Sequence, residues 1–255
     1  MTDIINVNSF NDRADLMHKR LMNFLTRLQK EYKASGKNDV DILSLPVEMK
    51  TIRKFKKITS GNPSLSFELG NRNQQNGETF LDNSDAFMPF DVAFGFVKAK
   101  PIVLDGAASP ITNNQILTYP DKSIFIDQTD ANSVIEWQAL LSYYWGTWEL
   151  SVNKKTIISE LHGERLLKVA QMQQQDDAIT PYYQNGKYAP LYNTPLLDGN
   201  KTITWDFRPA DNADTNNAGG ADGEENYGVF DTVGFVVKDL ATALSALNTA
   251  FYWVK

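Results

Sequence analysis

His18 and His162 are the only imidazoles in the chain, and neither stands in a pattern that imidazole chemistry uses. His18 falls in a basic stretch. His162 lies in Glu160-Leu161-His162-Gly163-Glu164, without the paired histidines of a zinc helix or a nucleophile elbow nearby. A Ser-His-Asp hydrolase would have to recruit one of them, and ordinary surface or turn positions are the simpler reading. Paired carboxylates need no histidine. Glu149 with Glu68 or Asp206 would suit glycoside hydrolysis, although each also fits the polar side of a half-buried strand. Asp211, Asp214, Asn216, Asp222 and Glu224 crowd one loop, but their spacing misses the regular calcium-loop pattern. Gly219, Gly220 and Gly223 are not followed by the Lys-Ser/Thr of a phosphate loop. The chain has no cysteine, which excludes disulfides and thiolate metal sites. The expectation is a non-enzymatic protein with no catalytic residue, cofactor or metal site.

Three groups of residues are better suited to contact than to catalysis. Lys50, Arg53, Lys54, Lys56 and Lys57 place five bases in eight residues. They predict either contact with phosphate or an acidic partner, nucleic acid included, or a charged strand edge that resists stray pairing. Tyr182, Tyr183, Tyr188 and Tyr192 punctuate a stretch without periodicity, where they would stack on a ligand or partner, or pack over the body of the fold. Met17, Leu21, Phe24 and Leu28, with Phe251 and Trp253 at the C-terminus, are the candidates for contact between subunits. Charge is divided along the chain. The formal total is −6, yet residues 1–57 carry +5, which leaves −11 for the remainder. A basic segment joined to an acidic body suits head-to-tail contact between copies, permits nucleic-acid contact by the basic segment, or is simply solvated on both faces.

These residues must be held by a scaffold that is mainly β. From Phe87 to Lys98 the even positions carry Met88, Phe90, Val92, Phe94 and Phe96, the two-residue period of a strand with one bulky face. Phe230 to Val237 repeats its chemistry, with Phe230-Asp231 answering Phe90-Asp91 and Gly234-Phe235-Val236 answering Gly95-Phe96-Val97. Each is preceded by a short strand, Leu65 to Leu69 and Ile203 to Phe207. Further strands are expected at 79–81, 101–104, 115–119, 123–127, 148–152, 156–158, 166–172 and 251–254. Ser9 to Ala34 reads as an amphipathic helix with apolar positions Ala14, Met17, Leu21, Phe24, Leu25, Leu28 and Tyr32. Its partner would be the chain's own β body, a neighbouring subunit or a membrane surface. Ser133 and Glu136 form a capping box that predicts an inserted helix with Trp137, Leu140, Leu141 and Tyr144 on its apolar side, and Asp239 would cap a short one. No stretch is long and apolar enough to span a membrane, and the first ten residues lack the pattern of a signal peptide. A soluble protein is expected, with residues 1–58 as a helical and basic arm and 59–255 as the β domain.

About ten strands, one inserted helix and long loops predict a jelly-roll-like β-sandwich or barrel with an N-terminal helical arm. Here the chain resembles jelly-roll virion structural proteins of bacteriophages. The resemblance rests on Gly146 to Gln173 (GTWELSVNKKTIISELHGERLLKVAQMQ), Pro195 to Phe207 (PLLDGNKTITWDF) and Val233 to Leu244 (VGFVVKDLATAL). It implies a capsid or capsid-decorating subunit, assembled in the host cytoplasm into virions through contacts with its own copies and with other virion proteins. It implies no catalytic residues. The rival expectation is a carbohydrate-binding jelly roll, with or without glycosidase activity, that uses the four tyrosines.

Overall fold

The computed structural model describes residues 10–62, 64–70, 78–99, 102–104, 107–109, 131–166, 188–191, 193–210, 216–220, 225–247 and 251–254. In chain order its elements are α1 (Phe10–Ala34), β1 (Val47–Lys57), β2 (Ser66–Glu68), β3 (Ala86–Ala99), β4 (Ile102–Leu104), β5 (Ala107–Ser109), α2 (Ala131–Leu141), β6 (Thr147–Val152), β7 (Lys155–His162), β8 (Ala189–Pro190), β9 (Thr194–Asp198), β10 (Ile203–Arg208), β11 (Glu225–Val237), α3 (Leu240–Ala246) and β12 (Phe251–Val254). The two long apolar stretches, β3 and β11, pair with each other antiparallel along almost their whole length. The two short strands that precede them, β2 and β10, pair in a second sheet. Each copy of the repeat therefore gives one strand to each sheet, and the two copies pair with one another in both.

A six-stranded antiparallel sheet runs β1-β11-β3-β9-β12, with β8 beside β3, and a four-stranded one runs β2-β10-β6-β7. The space between them is filled by rings. Phe94 lies 4.8 Å from Trp148, Trp148 lies 4.9 Å from Phe230, and Phe230 lies 5.2 Å from Trp205, all centroid to centroid. Such tilted contacts suit the aromatic quadrupole. Helix α2 adds Trp137 and Leu140 to this core, and the turn after it adds Tyr143 and Tyr144. The Tyr144 hydroxyl donates to the Phe94 carbonyl at 3.1 Å, which satisfies it inside the core. Burial pushes the Tyr143 phenol up to about 12 and raises that of Tyr144 as well.

The strict two-residue period expected of β3 is broken once. Val233 faces Asp91 and Gly234 faces Pro89, so Phe90 has no opposite residue. Proline cannot donate to the ladder, and a bulge beside it absorbs the lost bond. The bulge also exchanges the two faces. Met88 and Phe90 point to the helical side, whereas Val92, Phe94 and Phe96 point between the sheets. Only glycine fits at 234, because a Cβ there would come within 2.3 Å of the Met88 carbonyl oxygen and 2.5 Å of the Phe87 ring.

The outer face of the large sheet is covered by α1 and α3. Met17, Leu21, Phe24, Leu25, Leu28 and Tyr32 pack with Met88, Phe90, Val233 and Phe235 of the sheet and with Leu240 and Leu244 of α3. The expected apolar stripe of the helix is observed, and its partner is the chain's own β body. β1 pairs with β11 over all eleven of its residues. Within residues 10–57, β1 is thus paired into the large sheet and α1 is packed on its outer face. Two helix caps also differ. Ser133 lies inside α2, which begins at Ala131, while the Glu136 carboxylate accepts from the Asn226 side-chain amide. Asp239 makes no side-chain cap; its backbone N–H donates to Asp85. The strands expected at 115–119 and 123–127 lie outside the described residues. Of 166–172, only Leu166 is described, and it ends a short 3-10 turn.

Candidate functional site

The most unusual chemistry of the fold is two carboxylates buried in its central strands. Asp91 of β3 and Asp231 of β11 are both fully buried, on the sheet face that carries α1. Since Asp231 faces Ala93, the two aspartates are offset by two residues on neighbouring strands and form a diagonal pair. Each meets an arginine from a different element. Arg13 of α1 reaches Asp91 at 2.7 Å, and Arg53 of β1 grips both oxygens of Asp231 at 2.7 and 2.8 Å. The fork of Arg53 suits bidentate pairing. Tyr188 is buried and its hydroxyl donates to Asp231 at 3.5 Å. The arrangement ties α1, β1, β3 and β11 together by charge, and Tyr188, just before β8, adds a hydrogen bond. The repeated Phe-Asp dipeptide is visible in the sequence, but its pairing with two arginines is not. The available signal was a lone acid within each otherwise apolar strand.

The basic row on β1 is largely turned to the chain itself. Lys50 donates to the Phe80 carbonyl at 2.8 Å, Arg53 holds Asp231, and Lys54 is buried beside Glu78 at 3.4 Å. Lys57 pairs with Glu225, and that hydrogen bond, with a second from Tyr227, lowers the pKa of the Glu225 carboxyl. Lys56 and Lys57 are the exposed members of the row. β1 is an edge strand, yet Thr79 and Glu78 cap its open side. The Thr79 N–H donates to the Arg53 carbonyl at 3.0 Å, and the Phe55 N–H donates to Glu78 at 2.9 Å. Four of the five bases thus have partners within the chain, and Glu78 and Thr79 shield the strand edge.

The remaining candidates separate in the same way. Met17, Leu21, Phe24 and Leu28 are buried under the chain's own sheet, so as folded here they are not an open subunit contact. Phe251 and Trp253 lie on β12, the opposite edge of the large sheet, where Trp253 is 38% exposed. Tyr188 is engaged with Asp231; Tyr182, Tyr183 and Tyr192 lie outside the described residues, as do Asp211, Asp214, Asp222 and Glu224. Glu149 and Asp206 do come together, directly opposite each other on β6 and β10, with Glu68 facing Thr204 next to them. They stand on the solvated face of the small sheet, where Glu149 pairs with Arg208 at 2.8 Å and Asp206 accepts from Ser66 and Thr204. Both His18 and His162 are exposed. Among the described residues no three His, Cys, Asp or Glu are grouped to hold a metal ion.

A lateral groove of about 310 Å³ opens between the two sheets' edges, and no sequence pattern announces it. β7 and Arg165 line one side, and Trp253 of β12 with Pro190, Leu191 and Asn193 lines the other. β7 is bulged against β6: Trp148 faces Leu161 and Leu150 faces Ile158, so both Ser159 and Glu160 stand opposite Glu149. Glu160 takes φ +59° to accommodate the extra residue, a conformation that side chains with a Cβ seldom adopt.

No family model, curated protein or solved structure matches this chain. Its role must therefore be argued from its own topology and surfaces.

Proposed function

We propose that this protein is a single jelly roll and serves as a structural subunit of a virion shell, either of the capsid itself or decorating it. Strand order is the observation that carries this reading. If the eight principal strands β1, β2, β3, β6, β7, β9, β10 and β11 are counted one to eight, the large sheet reads 1-8-3-6 and the small one 2-7-4-5. That alternation of partners between two sheets is what two interlocked Greek keys produce, and jelly rolls are built that way. β12 then extends the large sheet beyond its sixth strand, and α1 and α3 roof its outer face.

The step from jelly roll to shell draws on two further features. Exposed Ile135 and Trp145 belong to α2 and the turn after it, and exposed Leu43 and Met49 belong to the segment entering the large sheet's edge. Apolar side chains in solvent are what a neighbouring copy would cover. The division of charge between the basic first 57 residues and the acidic remainder adds a long-range attraction between copies. Light scattering on the purified protein, followed by negative-stain imaging of the same sample, tests the proposal. Rings, trimers or shells are expected, and Trp145→Glu is expected to reduce them while the melting temperature holds. A monomer at every concentration and salt, alone and with its co-purifying proteins, would refute it.

A further inference from the structure

We propose that the lateral groove between β7 and β12 is a binding site for a neutral sugar ring. A pyranose presents an apolar C–H face and a rim of hydroxyls that both donate and accept. The groove offers the complement of each. Ile158 and Leu191 line it with aliphatic surface, and Trp253, at 38% exposure, brings an indole to its mouth. An aromatic face in that position stacks against C–H groups at little entropic cost. Around them stand Glu160, which accepts, Arg165, which donates, and Asn193, which does both. Glu160 and Arg165 balance one another in charge, so the lining favours an uncharged polar ligand over a phosphate or an acidic peptide. The volume of about 310 Å³ lies at the small end of the usual range for ligand sites, roughly 300–1,000 Å³, and suits one or two rings.

The way the groove is built also points to a ligand. Two residues of β7 oppose one of β6, which bends the edge strand and turns Glu160 into the groove lining at φ +59°. Bulges of this kind re-aim side chains beside binding sites. One end is drawn in by Arg165, whose guanidinium donates to the Pro190 carbonyl at 3.5 Å across the groove. The site is distinct from the tyrosines that the sequence put forward for sugars, since the Tyr188 hydroxyl is taken by Asp231. It does not rest on the shell reading, and its test is independent of assembly.

Saturation-transfer NMR on the intact protein with methyl α-glucoside, methyl α-mannoside, methyl β-galactoside, N-acetylglucosamine and their disaccharides decides the matter. Transfer from the protein to the ring C–H protons of at least one of these is expected. Trp253→Ala and Asn193→Ala should each weaken that binding roughly tenfold, and Trp145→Ala, which alters an exposed indole elsewhere, should not change it. Trp253→Phe keeps a ring on the strand and should bind at an intermediate level, which guards against fraying of β12 in the alanine variant. Absence of transfer from every sugar in the panel would overturn the proposal, as would binding equal in the wild type and in Trp253→Ala, Trp253→Phe and Asn193→Ala.

Discussion

The two faces of the six-stranded sheet solve the same problem by different means. Toward the four-stranded sheet the contact is made by large rings, with Phe94, Trp148, Trp205 and Phe230 in mutual contact. Toward the helices the side chains are mostly smaller and aliphatic, and charge is set among them: Asp91 with Arg13, Asp231 with Arg53. An aromatic core stabilises chiefly by the apolar area it buries. A buried ion pair adds little net stability over an apolar pair, but it is poorly satisfied in any other register. The first face therefore provides most of the cohesion, and the second specifies where α1 sits.

The largest expected effect comes from removing the helical cover altogether. A chain lacking residues 1–45 would expose the patch around Met88, Phe90, Val233 and Phe235. It is expected to aggregate or to bind a hydrophobic dye strongly, and a soluble, cooperatively melting product would show that α1 is a detachable arm after all. Next in size is Phe94→Ala, which opens a cavity among the rings and should cost about 3–5 kcal/mol in urea unfolding. A cost below about 1 kcal/mol would mean that the ring cluster is not the main source of cohesion.

Arg13→Met tests the other face, because it removes the cation nearest Asp91, a fully buried group. A loss of about 3 kcal/mol is expected, and the double variant Arg13→Met with Asp91→Asn should recover much of it. Additive losses would mean that the pair does not act as a unit. The smallest effects concern pH. Tyr143, held up to about 12 by burial, and Tyr144, raised by the same cause, would ionise near the ordinary value of about 10 once unfolded. Their contribution is intact below about pH 10 and lost as the pH climbs through the folded values. Lys238, raised chiefly by its hydrogen bond to Asp85, works in the same direction. Glu225, lowered by Lys57, gives a minor term of opposite sense, present above the usual carboxylate range and lost as pH falls through its lower folded value. Melting temperatures that stay level from pH 9 to 12 would contradict the alkaline part.

Local pattern carried a good deal of this protein. The helix over Phe10–Ala34, its apolar stripe, the long strands β3 and β11, and the terminal strand all follow from periodicity, because an amphipathic segment has one regular way to bury its apolar side. The turn between β6 and β7 holds Asn153 and Lys154 at φ of 49° and 66°, the left-handed pair of a two-residue hairpin loop. What periodicity could not reveal is where two distant segments meet. Pro89 gave a hint of the bulge at Phe90, but which face each phenylalanine takes depends on the register with β11. In sequence the basic residues of β1 fit either a phosphate contact or a charged edge, and only the fold sets Asp231, Glu78, Glu225 and the Phe80 carbonyl, all remote in sequence, beside them. The groove beside Trp253 exists only because a bulged edge of one sheet stands across from the edge of the other. Composition and spacing determine the elements, since those energies are local. Ion pairing, the choice of face and the open groove depend on contacts between residues far apart in the chain, and those only the tertiary structure decides.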